Sequence, residues 1–222
     1  MKKIKKHQII QILVILGMYL TGVLLFKELP EEMPIHWNEI NQPDNWIHKK
    51  FFILTFPSIA LVFMILFNFF SLMETRKSKN QHLREVWHLI QTIFIVFFAY
   101  IYMIALYASV KENISLGVYI ACGVGILLVL VGGFLVKVKP DYFLKFNNFF
   151  HFNDQANKIS KGKIQKIVGW SFFLGGFFII IQSIFFKAHL YIFFFSTLII
   201  AIFVPIFYSY FKFKKSDGID TR

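Results

Sequence analysis

Four residues with metal-binding side chains fall within one short segment of this 222-residue chain, namely His36, Glu39, Asp44 and His48. A zinc ion would need three or four such ligands converging on one point, and their spacing matches no helix or hairpin ligand pattern. Two other roles fit the same residues. In a structural role, Asp44 caps a turn, His36 bonds a backbone carbonyl and His48 lies at a membrane interface. The second role is recognition of an external peptide or lipid headgroup. We predict no metal ion and no other cofactor.

Nucleophilic catalysis has weaker support. Cys122, the one cysteine of the chain, stands in an apolar stretch where a thiolate is disfavoured and a small packing residue is expected. The sequence contains no glycine-rich loop of the kind that cradles phosphates. The polar residues of the apolar stretches, Asn68, Gln91, Thr92 and Gln182, are typical of interhelical hydrogen bonds. We therefore predict that the protein is not an enzyme.

The composition of the chain predicts the kind of structure that carries these residues. The chain is 57% hydrophobic, yet its 24 Lys and Arg against 12 Asp and Glu give a net charge of +12. Apolar stretches with basic ends are typical of a polytopic membrane protein rather than of a water-soluble domain. Windows of about 20 residues without central charges predict six transmembrane helices. They are residues 8–26, 51–73, 87–110, 114–136, 164–186 and 188–211.

Charge also predicts the orientation of these spans. Counted on alternate sides, 19 Lys and Arg fall on the side of the N-terminus and 5 on the other side. Because cytoplasmic loops carry the basic residues, both termini are expected in the cytoplasm. The first apolar run is long and ends without a small-x-small site, so we interpret it as an uncleaved helix rather than a signal peptide. Lys158, Lys161, Lys163 and Lys166 follow the same positive-inside bias, and we predict no nucleic-acid binding.

The predicted fold class is therefore an all-α integral membrane protein with about six transmembrane helices and one short interfacial helix. That interfacial helix lies in the cytoplasmic loop 137–163, where an amphipathic stretch runs from Tyr142 to Phe152. It rests on the inner leaflet or, alternatively, provides a docking surface for a cytoplasmic regulator. The predicted organisation is 1–73 with two spans and their outer loop, 74–136 with spans three and four, the loop 137–163, and 164–222 with spans five and six.

Small residues predict close helix contacts in the later spans. Ala121 and Gly125 in the fourth span have small-xxx-small spacing, as do Ser171 and Gly175 in the fifth. Such pairs let helix backbones approach closely in a membrane.

The first outer loop, residues 27–50, is the most informative segment of the chain. Its prolines favour extended backbone in the residues that precede them. The stretch Gln42-Pro43-Asp44-Asn45 has the residues of a β-turn with proline at its second position. We expect a small hairpin in which 33–37 faces 45–47. Trp37 and Trp46 would lie at the bilayer surface, and His36, Asn38 and Asp44 would face water or one another.

This loop resembles a known bacterial signature. The matching residues are Leu29-Pro30, Pro34-Ile35-His36-Trp37-Asn38, Pro43-Asp44-x-Trp46 and Lys49, ahead of a span that contains Pro57. They resemble the pattern P-x-H-[WF]-N-x-x-G-x-P-D-x-W of a bacterial membrane domain of unknown function, which forms the front half of the sporulation-delay toxin immunity proteins. The resemblance covers about residues 12–70. Asn41 stands where the family has glycine, and the later G-I-R-T-x-W-T signature of the immunity proteins has no counterpart in 137–170.

The resemblance implies a non-enzymatic protein of the bacterial plasma membrane that protects against, or senses, an external peptide. A transporter or channel component, or an assembly subunit of a membrane complex, is the alternative. The expected partners are the lipid bilayer, an external peptide and a cytoplasmic regulator. The predicted binding residues all lie in the outer loop. They are Pro34, His36, Trp37, Asn38, Pro43, Asp44 and Trp46.

Overall fold

Six long helices and one β-hairpin make up the part of the protein that the computed structural model describes, residues 6–38, 42–78, 81–111, 114–138, 158–186 and 189–217. In chain order the elements are α1 (Lys6–Leu25), β1 (Glu32–Trp37), β2 (Pro43–His48), α2 (Lys49–Ser78), α3 (Gln81–Val110), α4 (Leu116–Lys137), α5 (Lys158–Phe185) and α6 (Leu190–Asp217).

All six helices are long and apolar enough to cross a membrane. Each predicted window coincides with one of them, which confirms a multi-pass helical membrane protein. The helices extend beyond several windows because polar residues continue the helix into the interfacial region, as at the start of α3 and the end of α6. The predicted interfacial helix between Tyr142 and Phe152 lies outside the described residues.

The hairpin adds strands to a fold that the sequence predicted as all-α, and it forms where the outer-loop pattern placed it. β1 pairs antiparallel with β2, and Met33 lies opposite Ile47 while Trp37 lies opposite Pro43. The register shifts between Pro34 and Trp37, as expected at a β-bulge. The predicted turn at 42–45 is wrong, because Pro43 is the first residue of β2. A proline is tolerated there because the first residue of a strand need not donate to the ladder.

Residues Met1–Gly123 form the first of two compact units. In its described part, α1, α2 and α3 pack around an apolar core that includes Ile95, Phe52 and Tyr102. Met33 of the hairpin is fully buried in the same core, with Ile47 packed against it. The hairpin is therefore seated on the three-helix bundle through its inner face.

Polar side chains also join these three helices. The Gln11 amide nitrogen donates to the Thr92 hydroxyl at 2.8 Å, which links α1 to α3. The amide of Gln91 donates to the carbonyl of Met64 at 2.8 Å, which links α3 to α2. The prediction that Gln91 and Thr92 form interhelical hydrogen bonds is confirmed.

Residues Val124–Arg222 form the second unit, in which glycines bring helix backbones together. A Cβ at Gly125 would lie 2.8 Å from the carbonyl oxygen of Gly176, and a Cβ at Gly132 would lie 2.6 Å from that of Gly169. The contact between α4 and α5 thus repeats every seven residues on both helices. Gly175 faces Ala201 of α6 instead, at 3.0 Å from its Cβ. Gly125 and Gly175 both stand at helix contacts, as their small-xxx-small spacing predicted.

Candidate functional site

His36 and Asp44 form a direct side-chain pair on the hairpin. Nδ1 of His36 donates to Oδ1 of Asp44 at 2.5 Å, and the two side chains are 66% and 43% exposed. His36 and Asp44, which were expected to face water or one another, do face one another, in place of the alternative roles in which His36 bonds a backbone carbonyl and Asp44 caps a turn. The hairpin overrides both, because pairing of the strands brings residues eight positions apart into contact. With Nδ1–H bound to the carboxylate, Nε2 of a neutral imidazole is left as an acceptor.

The other predicted binding residues surround this pair. Pro34 lies opposite Trp46, and Trp37 lies opposite Pro43. Asn38 closes the end of the hairpin, because its amide donates to the carbonyl of Gln42 at 2.8 Å and its side-chain oxygen accepts from the Gln42 amide at 2.9 Å. All seven residues are exposed or half-buried, and Trp46 is 50% exposed. All seven are therefore accessible on the hairpin, and we call this set the hairpin surface. Glu39 and Asn41 lie outside the described residues.

His48 belongs to the base of the hairpin rather than to this surface. Its Nδ1 accepts a hydrogen bond from the Lys50 amide at 3.2 Å, as an N-cap side chain does at a helix start. The imidazole then carries its proton on Nε2, which lies 3.4 Å from Oε2 of Glu31. The predicted role of His48 as a simple interfacial residue omitted this function, which is to join β2 to the first turn of α2.

Lys49 is the residue that sequence reasoning missed. Its side chain is only 9% exposed, and its Nζ lies 3.0 Å from Oε1 of Glu31. The same ammonium donates to the carbonyl of Leu29 at 3.2 Å and stands 4.7 Å from the centre of the Phe26 ring. A lysine at the start of a span normally extends its ammonium into water. In the sequence, Lys49 stood out only as a member of the family signature, because nothing in its chemistry predicts burial.

The Lys49 ammonium also acts on Glu31, whose carboxylate it bonds. This hydrogen bond and the positive charge of Lys49 hold the pKa of Glu31 below its ordinary value of 4.5, and His48 and Lys50 add smaller attractions. Lys49 thus connects the segment between α1 and β1 to the start of α2 through a single charged group.

Metal binding has no support in the described part of the chain, where no three His, Cys, Asp or Glu side chains come together. The geometry instead provides an exposed, polar and aromatic surface on a short sheet. The sheet is held by Met33 and Lys49 to the helices below it. Such a surface is able to bind another molecule through hydrogen bonds and aromatic contacts.

Comparison with known proteins extends the resemblance found in the sequence. A domain of unknown function, DUF1648, matches residues 13–61, which include the hairpin and parts of α1 and α2. The immunity protein SdpI of Bacillus subtilis (strain 168) is 22% identical over 214 residues, which cover 96% of this chain and 99% of that protein. The similarity therefore continues well beyond the outer loop that first indicated it. No solved structure matches the chain.

Proposed function

We propose that this chain is a non-enzymatic protein of the bacterial plasma membrane that gives immunity to an external peptide, which it meets through the hairpin surface. The observation that carries the proposal is the similarity to an immunity protein over almost the whole of both chains. The hairpin supports it because it exposes His36, Asp44 and Trp46 on a seated, ordered element.

The proposed topology places the hairpin outside the cell and both termini, with the loop 137–163, in the cytoplasm. The loop then lies on the inner leaflet, where a cytoplasmic regulator would have access to it. Impermeant maleimide tests this in a Cys122→Ser background. An Asn45→Cys variant should be labelled in intact cells, whereas Gln155→Cys should be labelled only after lysis. The reverse pattern would overturn the orientation.

The immunity role is tested by survival. The chain is expressed in a bacterium that is sensitive to a panel of membrane-active peptides, together with His36→Ala, Asp44→Ala and Asn45→Ala variants. We expect the natural chain to raise survival against at least one peptide and the first two variants to lose that protection. Asn45, an exposed neighbour in β2, is the matched control and should keep it.

Loss of protection in these variants would not reflect unfolding. An exposed side-chain pair contributes about 0–1 kcal/mol to stability even when both partners are charged, so removing His36 or Asp44 should leave the bundle folded. Membrane abundance, measured by an epitope tag, verifies this for each variant. If the natural chain changes survival against no peptide of the panel, the proposal fails.

A further inference from the structure

The two edges of the hairpin differ in the backbone groups they offer. The Lys49 amide donates to the Glu31 carbonyl at 2.8 Å, so these two residues form a hydrogen-bonded pair. Hydrogen-bonded and non-hydrogen-bonded pairs alternate along antiparallel strands. The alternation makes Met33↔Ile47 a bonded pair, whereas Glu32↔His48 and Pro34↔Trp46 are non-bonded pairs whose backbone groups point away from the partner strand.

The β1 edge is poorly suited to accept another strand. Its outward positions are Glu32 and Pro34, and proline has no amide proton to donate. Proline is one of the devices by which proteins block an edge strand.

The β2 edge keeps its donors. Its outward positions are Trp46 and His48, and both have an amide proton. The Trp46 carbonyl points the same way, whereas the carbonyl of His48 enters the first turn of α2. The Trp46 side chain is 50% exposed above this edge. The edge therefore offers two amides and one carbonyl in the spacing of an antiparallel strand, beside an aromatic ring.

Charge indicates the kind of peptide that suits this edge. Residues 27–50 contain five acids against three lysines, in a chain whose net charge is +12. One of those lysines, Lys49, is already paired with Glu31. Glu32 is exposed on the same strand pair, opposite His48. An extended segment with lysines or arginines would therefore meet complementary charge.

We propose that the β2 edge binds an extended, cationic segment of the external peptide as a third strand of the hairpin. This inference rests on the proposed function and adds its mode of binding. Main-chain hydrogen bonds to Trp46 and His48 provide the pairing, and the Trp46 ring contacts one face of the incoming strand. Selectivity comes from side chains on the hairpin surface, including Nε2 of His36.

The test uses the full chain in nanodiscs and a defined probe, a fluorescent eight-residue peptide of alternating lysine and valine. The same peptide with N-methylated amides is its control, because methylation removes the strand-pairing protons. We expect the natural chain to bind the probe at least tenfold more tightly than the methylated peptide. Equal affinity for the two peptides, or no binding of the probe, would overturn the proposal.

Two variants at one position separate backbone from side chain. Trp46→Ala keeps the outward amide and Trp46→Pro removes it, so the second should bind the probe at least tenfold more weakly than the first. Glu32→Pro removes the corresponding amide on the β1 edge together with one carboxylate, so it should bind the probe as tightly as Glu32→Gln, which removes the carboxylate alone. If Trp46→Ala and Trp46→Pro bind equally, the edge is not the site.

Hydrogen exchange in the natural chain provides a readout that needs no variant to fold. Saturating probe should slow exchange at the Trp46 and His48 amides at least tenfold and leave the Glu32 amide unchanged. Protection of these amides without probe, in a protein that sediments as a dimer, would assign the edge to a second copy and overturn the proposal. Because the assay contains no cells, probe binding at the edge without cellular protection would contradict the immunity role alone.

Discussion

Replacing Lys49 with methionine is expected to loosen the hairpin while leaving the helices intact. Methionine has a similar length and suits the apolar surroundings, so the change removes mainly the ammonium. The loss includes a charged hydrogen bond to the Leu29 carbonyl and the contact with the Phe26 ring. These interactions contribute about 1.5–3 kcal/mol and about 0.5–2 kcal/mol respectively.

Two effects reduce that sum. Methionine regains apolar burial at the same place, and the Glu31 carboxylate is 72% exposed, so water solvates it once its partner is gone. The substitution therefore leaves no buried, unpaired charge, which would be the most destabilising outcome. We expect a net loss of about 2 kcal/mol in the local stability of the hairpin, which corresponds to an opening about 30-fold more frequent.

Hydrogen exchange at the Met33 and Ile47 amides measures that opening in nanodiscs. Lys50→Met is the matched control, because it removes the same charge from the next residue, whose side chain is exposed. It should change exchange less than threefold. If the two variants behave alike, the burial and contacts of Lys49 do not hold the hairpin, and the reasoning is refuted.

Three further predictions concern the bundle and the hairpin base. Gly132→Ala should destabilise the protein by about 1–3 kcal/mol, because its methyl group would meet the α5 backbone. Gly133→Ala, whose methyl group would lie 3.5 Å from a phenylalanine ring, should be nearly neutral. Thermal unfolding of both variants measures the difference. Gln91→Leu should cost about 0.6–2 kcal/mol through loss of its bond to the Met64 carbonyl. Acidification below pH 4.5 should progressively speed exchange at the hairpin base, and Glu31→Gln should flatten this dependence.

The sign of the pH effect follows from the direction in which the pKa of Glu31 is shifted. Because the folded pKa of Glu31 is lowered, its contribution is complete above the ordinary value of 4.5 and is lost as the pH falls through the lowered value. Faster exchange on raising the pH from 5 to 7, after correction for intrinsic rates, would contradict this account. For Gly132→Ala and Gln91→Leu, a melting temperature equal to that of the natural chain would contradict the packing described.

The helices and the hairpin could be predicted from sequence because each depends on a local pattern. An apolar run without charges predicts a span by itself, and prolines alternating with aromatic residues predict extended chain. The turn was misplaced because Pro43 suits both the second position of a β-turn and the first residue of a strand. The strand prevailed because seating Met33 in the core also fixes the register of its partner Ile47.

The contacts of the candidate site depend on pairing that local patterns do not encode. His36 and Asp44 are eight residues apart, and only the register of the two strands brings their side chains together. Gly132 is seven residues from Gly125, and this spacing suggests that both lie at one helix contact. The spacing does not reveal which residues of α5 they meet. Lys49 is buried against Leu29 and Phe26, which lie before β1 in the sequence. These residues meet Lys49 only because the hairpin returns the chain to them.

The direct junction between β2 and α2 fixes the rotational setting of the hairpin. β2 ends at His48 and α2 begins at Lys49, so no linker residue lies between strand and helix. One residue inserted at this junction would turn the strand by about 100° around the helix axis, since a helix has about 3.6 residues per turn. Met33 would then leave its place in the bundle. The length of the chain at this point is therefore as strictly constrained as the identity of the buried residues.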